Sequence, residues 1–96
     1  MREITHGDIR VAARVLITRA DCDWPALMAQ MLADAHHADR YRKALGRHHP
    51  RLGNGKLMSA AFSMAPAPEP LPSDSRYLAA IRAAIEAVLD WRLRLQ

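Results

Sequence analysis

Aromatic residues are scarce in this 96-residue chain, with two Trp, two Tyr and one Phe, 5% of the total. No stretch is rich enough in β-branched and aromatic residues to compete as a strand. Cysteine is nearly absent as well. Cys22 stands alone, so no internal disulfide is possible, and its neighbours Asp21 and Asp23 disfavour a reactive thiolate. No apolar run approaches the ~20 residues of a membrane span, so no membrane contact is expected. The start, MREITHGDIR, has no apolar segment followed by a small-residue cleavage site, and a cytoplasmic location is expected. Catalytic equipment is missing too. There is no pair of carboxylates, no cysteine with an activating neighbour and no serine in a nucleophile elbow. The expectation is a non-enzymatic protein with no catalytic residue and no cofactor.

The chain does carry a large apolar share, 50%, mostly Ala, Leu, Met, Ile and Val. Ala loses the least side-chain entropy in a helix, so these runs favour an all-α fold. At 96 residues the chain is expected to form one helical domain over 1–96, burying about 60–65% of its unfolded surface. Four helices are expected, near 6–19, 25–45, 56–64 and 75–94. Thr5 with Asp8 makes a capping-box pattern for the first, and Ile9, Ala13, Leu16, Ile17 and Ala20 form its apolar stripe. Trp24-Pro25 starts the second, with Leu27, Met31, Ala35, Ala38, Tyr41 and Leu45 as its stripe, which makes Tyr41 a core residue by periodicity. Gly46 and Pro50 stop it. The third is short, and Pro66 ends it. Ala65 to Pro72, APAPEPLP, holds four prolines in eight residues and reads as an extended strap across the surface. Ser73, Asp74 and Ser75 offer caps for the last helix. There Leu78, Ile81, Ile85, Val88, Arg92 and Leu95 follow a 3, 4, 3, 4, 3 spacing, a seam that serves either to pair helices with a partner or to pack within the chain.

The net charge of +4 is concentrated in one stretch. Residues 36–56 hold Arg40, Arg42, Lys43, Arg47, Arg51 and Lys56 against Asp39 alone, while the two flanking stretches nearly cancel. Such polarisation points to an anionic partner. Between Gly46 and Lys56 the chain reads GRHHPRLGNGK. Amides near Gly53 and Gly55, a helix amino terminus and Lys56 are the elements of a phosphate cradle. Lys56 is at the wrong end of its helix for the dipole unless an anion sits there. It is not a Walker motif, because Pro50 stands where the first glycine belongs and Leu57 follows the lysine. The candidate anion or nucleic-acid contacts are Arg40, Lys43, Arg47, His49, Arg51, Gly53, Gly55 and Lys56, and the opposing reading is a solvated basic loop that only reverses the chain. No helix-turn-helix, zinc finger or ribonucleoprotein motif accompanies them, so any nucleic-acid contact is expected to be with phosphate. His36, His37, His48 and His49 lack metal spacing, apart from the i, i+3 pair His36 and Asp39, and no metal site is assigned.

Two functional expectations follow. The first is a binding or adaptor module that contacts nucleic acid or an acidic protein surface through the basic loop. The second is an assembly subunit that self-associates or docks on a protein partner through Leu78, Ile81, Ile85 and Val88, without nucleic-acid contact. The run ADRYRKALGRHHPRLGNGKLM, Ala38 to Met58, preceded by ITHGDIRVAARVLI, resembles a small uncharacterised family associated with alphaproteobacteria. The resemblance covers most of the chain and implies no catalytic or binding residue.

Overall fold

The computed structural model describes residues 2–94, and Leu95 of the seam lies outside them. Helix α1 spans His6–Leu16, a 3-10 turn spans Asp21–Asp23, and α2, α3 and α4 span Trp24–Leu45, Leu57–Phe62 and Ser75–Arg94. Among the described residues there is no strand, only one isolated antiparallel bridge between His49 and Gly53. The fold is all-α, with a short third helix and the proline-rich strap ahead of the last.

The helix ends have local causes. At the start of α1 the Thr5 hydroxyl accepts from the Asp8 amide, and the Asp8 carboxylate accepts from the Thr5 amide at 2.7 Å, a complete capping box. Helix α1 stops three residues before position 19. The Thr18 amide and hydroxyl both turn back to the Val15 carbonyl, and the Trp24 indole N–H donates to the Leu16 carbonyl at 2.6 Å. These bonds satisfy carbonyls that a longer helix would have used. Gly46 ends α2 in the left-handed conformation, φ 70°, with its amide on the Arg42 carbonyl. Helix α3 gives way to Ala65 at φ 54°, an unfavourable region for alanine, followed by Pro66. Asp74 caps α4 by accepting from the Tyr77 amide at 2.9 Å.

Helix α1 lies against α3 and α4, and α2 crosses both. The core between them holds Val15 and Leu16 from α1, Met28, Met31 and Leu32 from α2, Leu57 and Ala61 from α3, and Tyr77, Ala80, Ala84 and Val88 from α4. Each fully buried Leu or Met is worth about 1.5–3 kcal/mol. The small residues Ala12, Ala13, Ala80 and Ala84, all fully buried, allow the backbones to approach closely.

The seam of α4 divides. Its core row is Tyr77, Ala80, Ala84 and Val88, with Trp91 half-buried below. Ile81 packs at the margin, while Leu78 and Ile85 are each 50% exposed. The cause is the row of small residues. A helix approaches α1 and α2 more closely along Ala80 and Ala84 than along isoleucine and leucine, so it is turned by roughly a quarter of its circumference from the orientation that buries the heptad row.

The strap is fastened to α1. Arg14 donates from Nε to the Ala67 carbonyl at 2.6 Å, and the Ala67 amide donates to the Arg14 carbonyl at 3.1 Å. Two positions along, the Arg10 guanidinium grips both oxygens of Glu69, which also accepts from the Tyr77 hydroxyl at 3.1 Å. A chain of prolines with few hydrogen bonds of its own is thereby held by side chains from both neighbours. At the opposite end, Arg76 stacks on the Trp24 ring, pairs with Asp21 and donates to the Arg19 carbonyl.

Candidate functional site: the basic loop

The loop of residues 46–56 is closed by its own hydrogen bonds. The His49 amide donates to the Gly53 carbonyl at 3.0 Å, and the Gly53 amide returns to the His49 carbonyl at 3.3 Å. Inside this ring the Nδ1 atom of His49 accepts from the Arg51 and Leu52 amides at 3.1 and 3.0 Å. A nitrogen that accepts two N–H groups carries no proton, so the neutral ring has its hydrogen on Nε2. The imidazole stands edge-on to Tyr41, centroids 4.7 Å apart, and to His37 at 5.5 Å. His49 therefore gathers the turn from within and docks it on α2. Tyr41 is half-buried against this ring rather than part of the main core, because the apolar stripe of α2 runs past the other helices at its carboxyl end, where Leu45 is exposed.

Gly53 and Gly55 serve backbone geometry. They have φ values of 88° and 92°, and a Cβ on Gly55 would stand 2.8 Å from the Cα of Asp39. The loop thus lies directly on the α2 backbone, which no other residue type permits. Asn54 fastens the exit, its Oδ1 accepting from the Lys56 amide at 3.0 Å and from the Ser59 hydroxyl at 2.7 Å.

An anion does stand at the amino terminus of α3, and it is the protein's own. Asp8, fully buried, accepts from the Met58 amide at 2.9 Å through Oδ1 and from the Thr5 amide and hydroxyl through Oδ2. One carboxylate caps α1 and α3 together, which accounts for a helix beginning beside Lys56. The amides of Gly53, Lys56 and Met58 are all taken within the chain, so the loop does not present them as a cradle for an external phosphate. What it presents is side-chain charge.

Asp39 lies underneath, 1% exposed, with Arg42 at 2.8 Å and Lys43 at 3.2 Å. Burial alone would raise its pKa, but the hydrogen bonds from Arg42 and Lys43 outweigh this and hold it well below the usual carboxylate range. Lys43 is thus spoken for. Arg40, Arg47 and Arg51 are exposed and form no ion pair among the described residues, and Lys56 is half-buried. Arg42, Gly46, Arg47 and His48 line a shallow depression where α2 meets the loop. The structure therefore brings Arg40, Arg47 and Arg51 around one end of α2, and leaves His49, Gly53 and Gly55 as the frame beneath them.

His36, His37 and His49 are engaged in ring contacts, while His6 and His48 are exposed. His36 stacks edge-on against Trp91 at 5.8 Å, and burial lowers its pKa. Among the described residues no three of His, Cys, Asp and Glu are grouped to hold a metal ion.

A family model described as a domain of unknown function, DUF7742, matches residues 2–88. The chain belongs to this family. No curated protein and no solved structure matches it. The matched span takes in the Asp8 cap, the whole of loop 46–56, the strap and most of α4. The DUF7742 unit thus contains every element of the candidate site. The family's uncharacterised standing accords with the resemblance carried by Ala38 to Met58.

Sequence reasoning placed Asp8 in a capping box but had no signal for its bond to Met58, fifty residues away. It likewise counted Asp39 as the single acid of the basic stretch without detecting that Asp39 is buried. Gly55, whose lack of a side chain lets the loop cover Asp39, was the available clue.

Proposed function

We propose that this protein is a non-enzymatic binding module whose basic loop contacts a polyanionic partner, with the phosphate backbone of nucleic acid as the best fit and an acidic protein surface as the other. The observation that carries the reading is the loop's economy of charge. The amides of His49, Arg51, Leu52, Gly53 and Lys56 are taken within the loop, the buried Asp39 beneath it is already paired, and Arg47 and Arg51 on the loop and Arg40 on the adjoining α2 are exposed and form no ion pair among the described residues. Guanidinium groups on a rigid turn contact phosphates at little entropic cost. Such contacts carry no sequence information, so binding depends on charge and steeply on salt. A cytoplasmic adaptor role in an alphaproteobacterial cell is part of the same proposal.

The test replaces Arg40, Arg47 and Arg51 by Ala and measures affinity for a short DNA duplex across salt concentrations. The expected result is a large loss at low salt and a logarithmic salt slope reduced by about 2.7, near 0.9 for each phosphate contact removed. An unchanged slope with unchanged affinity would sink the proposal.

A further inference from the structure

Helix α4 leaves one face uncovered, and that face is apolar. Leu78 and Ile85 are 50% exposed, Leu89 57% and Leu93 59%, on one side of a single helix. The band continues round the helix through Ile81 into a groove floored by Ile4 and Ile9. Isolated exposed leucines are ordinary, but a contiguous row of this kind marks an interaction site. Its charges identify the partner. Arg82 and Glu86, four residues apart, are both exposed and form no ion pair with each other or with any other described residue, whereas Asp90 and Arg94 on the same helix do pair, at 3.4 Å.

We infer that this face pairs with α4 of a second copy of the chain in antiparallel, two-fold fashion, crossing at Ile85. A two-fold axis perpendicular to the helices brings the same flank of each helix together, and each residue then faces its counterpart reflected through the crossing point. With Ile85 at the centre, Ile85 meets Ile85 of the other copy and Ile81 meets Leu89. The aliphatic stem of Arg92 covers Leu78. Arg82 and Glu86 share the flank beyond this row, so Arg82 of each copy comes within reach of Glu86 of the other, with an offset of about 3 Å along the axis at 1.5 Å per residue. Both unmatched charges are thus satisfied twice over by one symmetric contact, which no parallel arrangement achieves. The twenty residues of α4 are about 30 Å long, and one helix face buries less than the ~800 Å² per partner of a standard interface. The dimer is accordingly expected to exchange rapidly, with a dissociation constant on the order of 10 μM.

Sedimentation equilibrium on the full chain between 5 and ~300 μM tests this, with far-ultraviolet circular dichroism recorded on each variant. The expected result is a monomer–dimer equilibrium that Ile85→Asp abolishes without loss of helix, since Ile85 is outside the core. Arg82→Glu and Glu86→Arg, both at exposed positions, should each weaken self-association about tenfold by setting like charges opposite each other, and an equimolar mixture of the two should restore a heterodimer. A wild-type chain that stays monomeric at ~300 μM would overturn the inference. A dimer indifferent to Ile85→Asp, or two charge variants that fail to recombine, would overturn it as well.

Discussion

Asp8 and Asp39 are the buried charged residues of the described chain, and they meet burial in different ways. Asp8 is held by amides and a hydroxyl, at one end of α1 and one end of α3. Asp8→Ala strands the Met58 and Thr5 donors, and should cost about 1–3 kcal/mol in thermal or denaturant unfolding. Asp39 is held by cations. Its folded-state pKa is depressed, so its contribution is present above the unfolded value of about 3.9 and is lost as pH falls through the folded value. Asp39→Asn should therefore be less stable than wild type at pH 7, and the gap should narrow progressively below about pH 4. Urea unfolding at pH 7, 4 and 2.5 checks this, and a gap independent of pH would contradict it. Tyr77 is the milder case. Tyr77→Phe removes the hydroxyl that bonds Glu69 beside Arg10 and should cost about 1 kcal/mol.

The loop is the element to which we assign binding, and two of its left-handed glycines, Gly46 and Gly55 near its two ends, separate conformational from steric cost. Gly46 has open space around an added Cβ, so Gly46→Ala should cost about 1–2 kcal/mol from its φ alone. Gly55→Ala adds a collision with the backbone at Asp39 and should cost clearly more, about 3 kcal/mol, seen as a lower melting temperature. The same elements show what was legible. Caps, Gly46, Pro50 and Pro66 announced the helices to within a few residues, because helix ends are written in local chemistry. Which face of α4 turns inward was not so written. Ala80 and Ala84 make a narrower but closer-packing surface than Ile81 and Ile85, and only the presence of α1 and α2 decides between them. The loop's charge was equally plain. Its glycines suggested a phosphate cradle, however, because the acceptors that take the nearby amides, the His49 carbonyl for Gly53 and the Asp8 carboxylate for Met58, are set by the fold and not by adjacent sequence.

At the scale of the molecule, the basic loop and the free apolar surface lie in different places. Arg40, Arg47 and Arg51 stand toward the carboxyl end of α2, while the apolar band runs along α4, flanked by Arg82 and Glu86, to Ile4 and Ile9. A contact at one is expected to respond to salt and a contact at the other to apolar substitution, so the two are separable in one protein. The central claim is that the loop of residues 46–56 receives a polyanion, and the most direct measurement is a two-dimensional amide NMR titration with a short DNA duplex at low salt. The account predicts shifts concentrated at Arg40, Gly46 to Arg51 and their neighbours, which disappear when salt is raised. Shifts confined to α4, or a spectrum unmoved by the duplex at low salt, would contradict it.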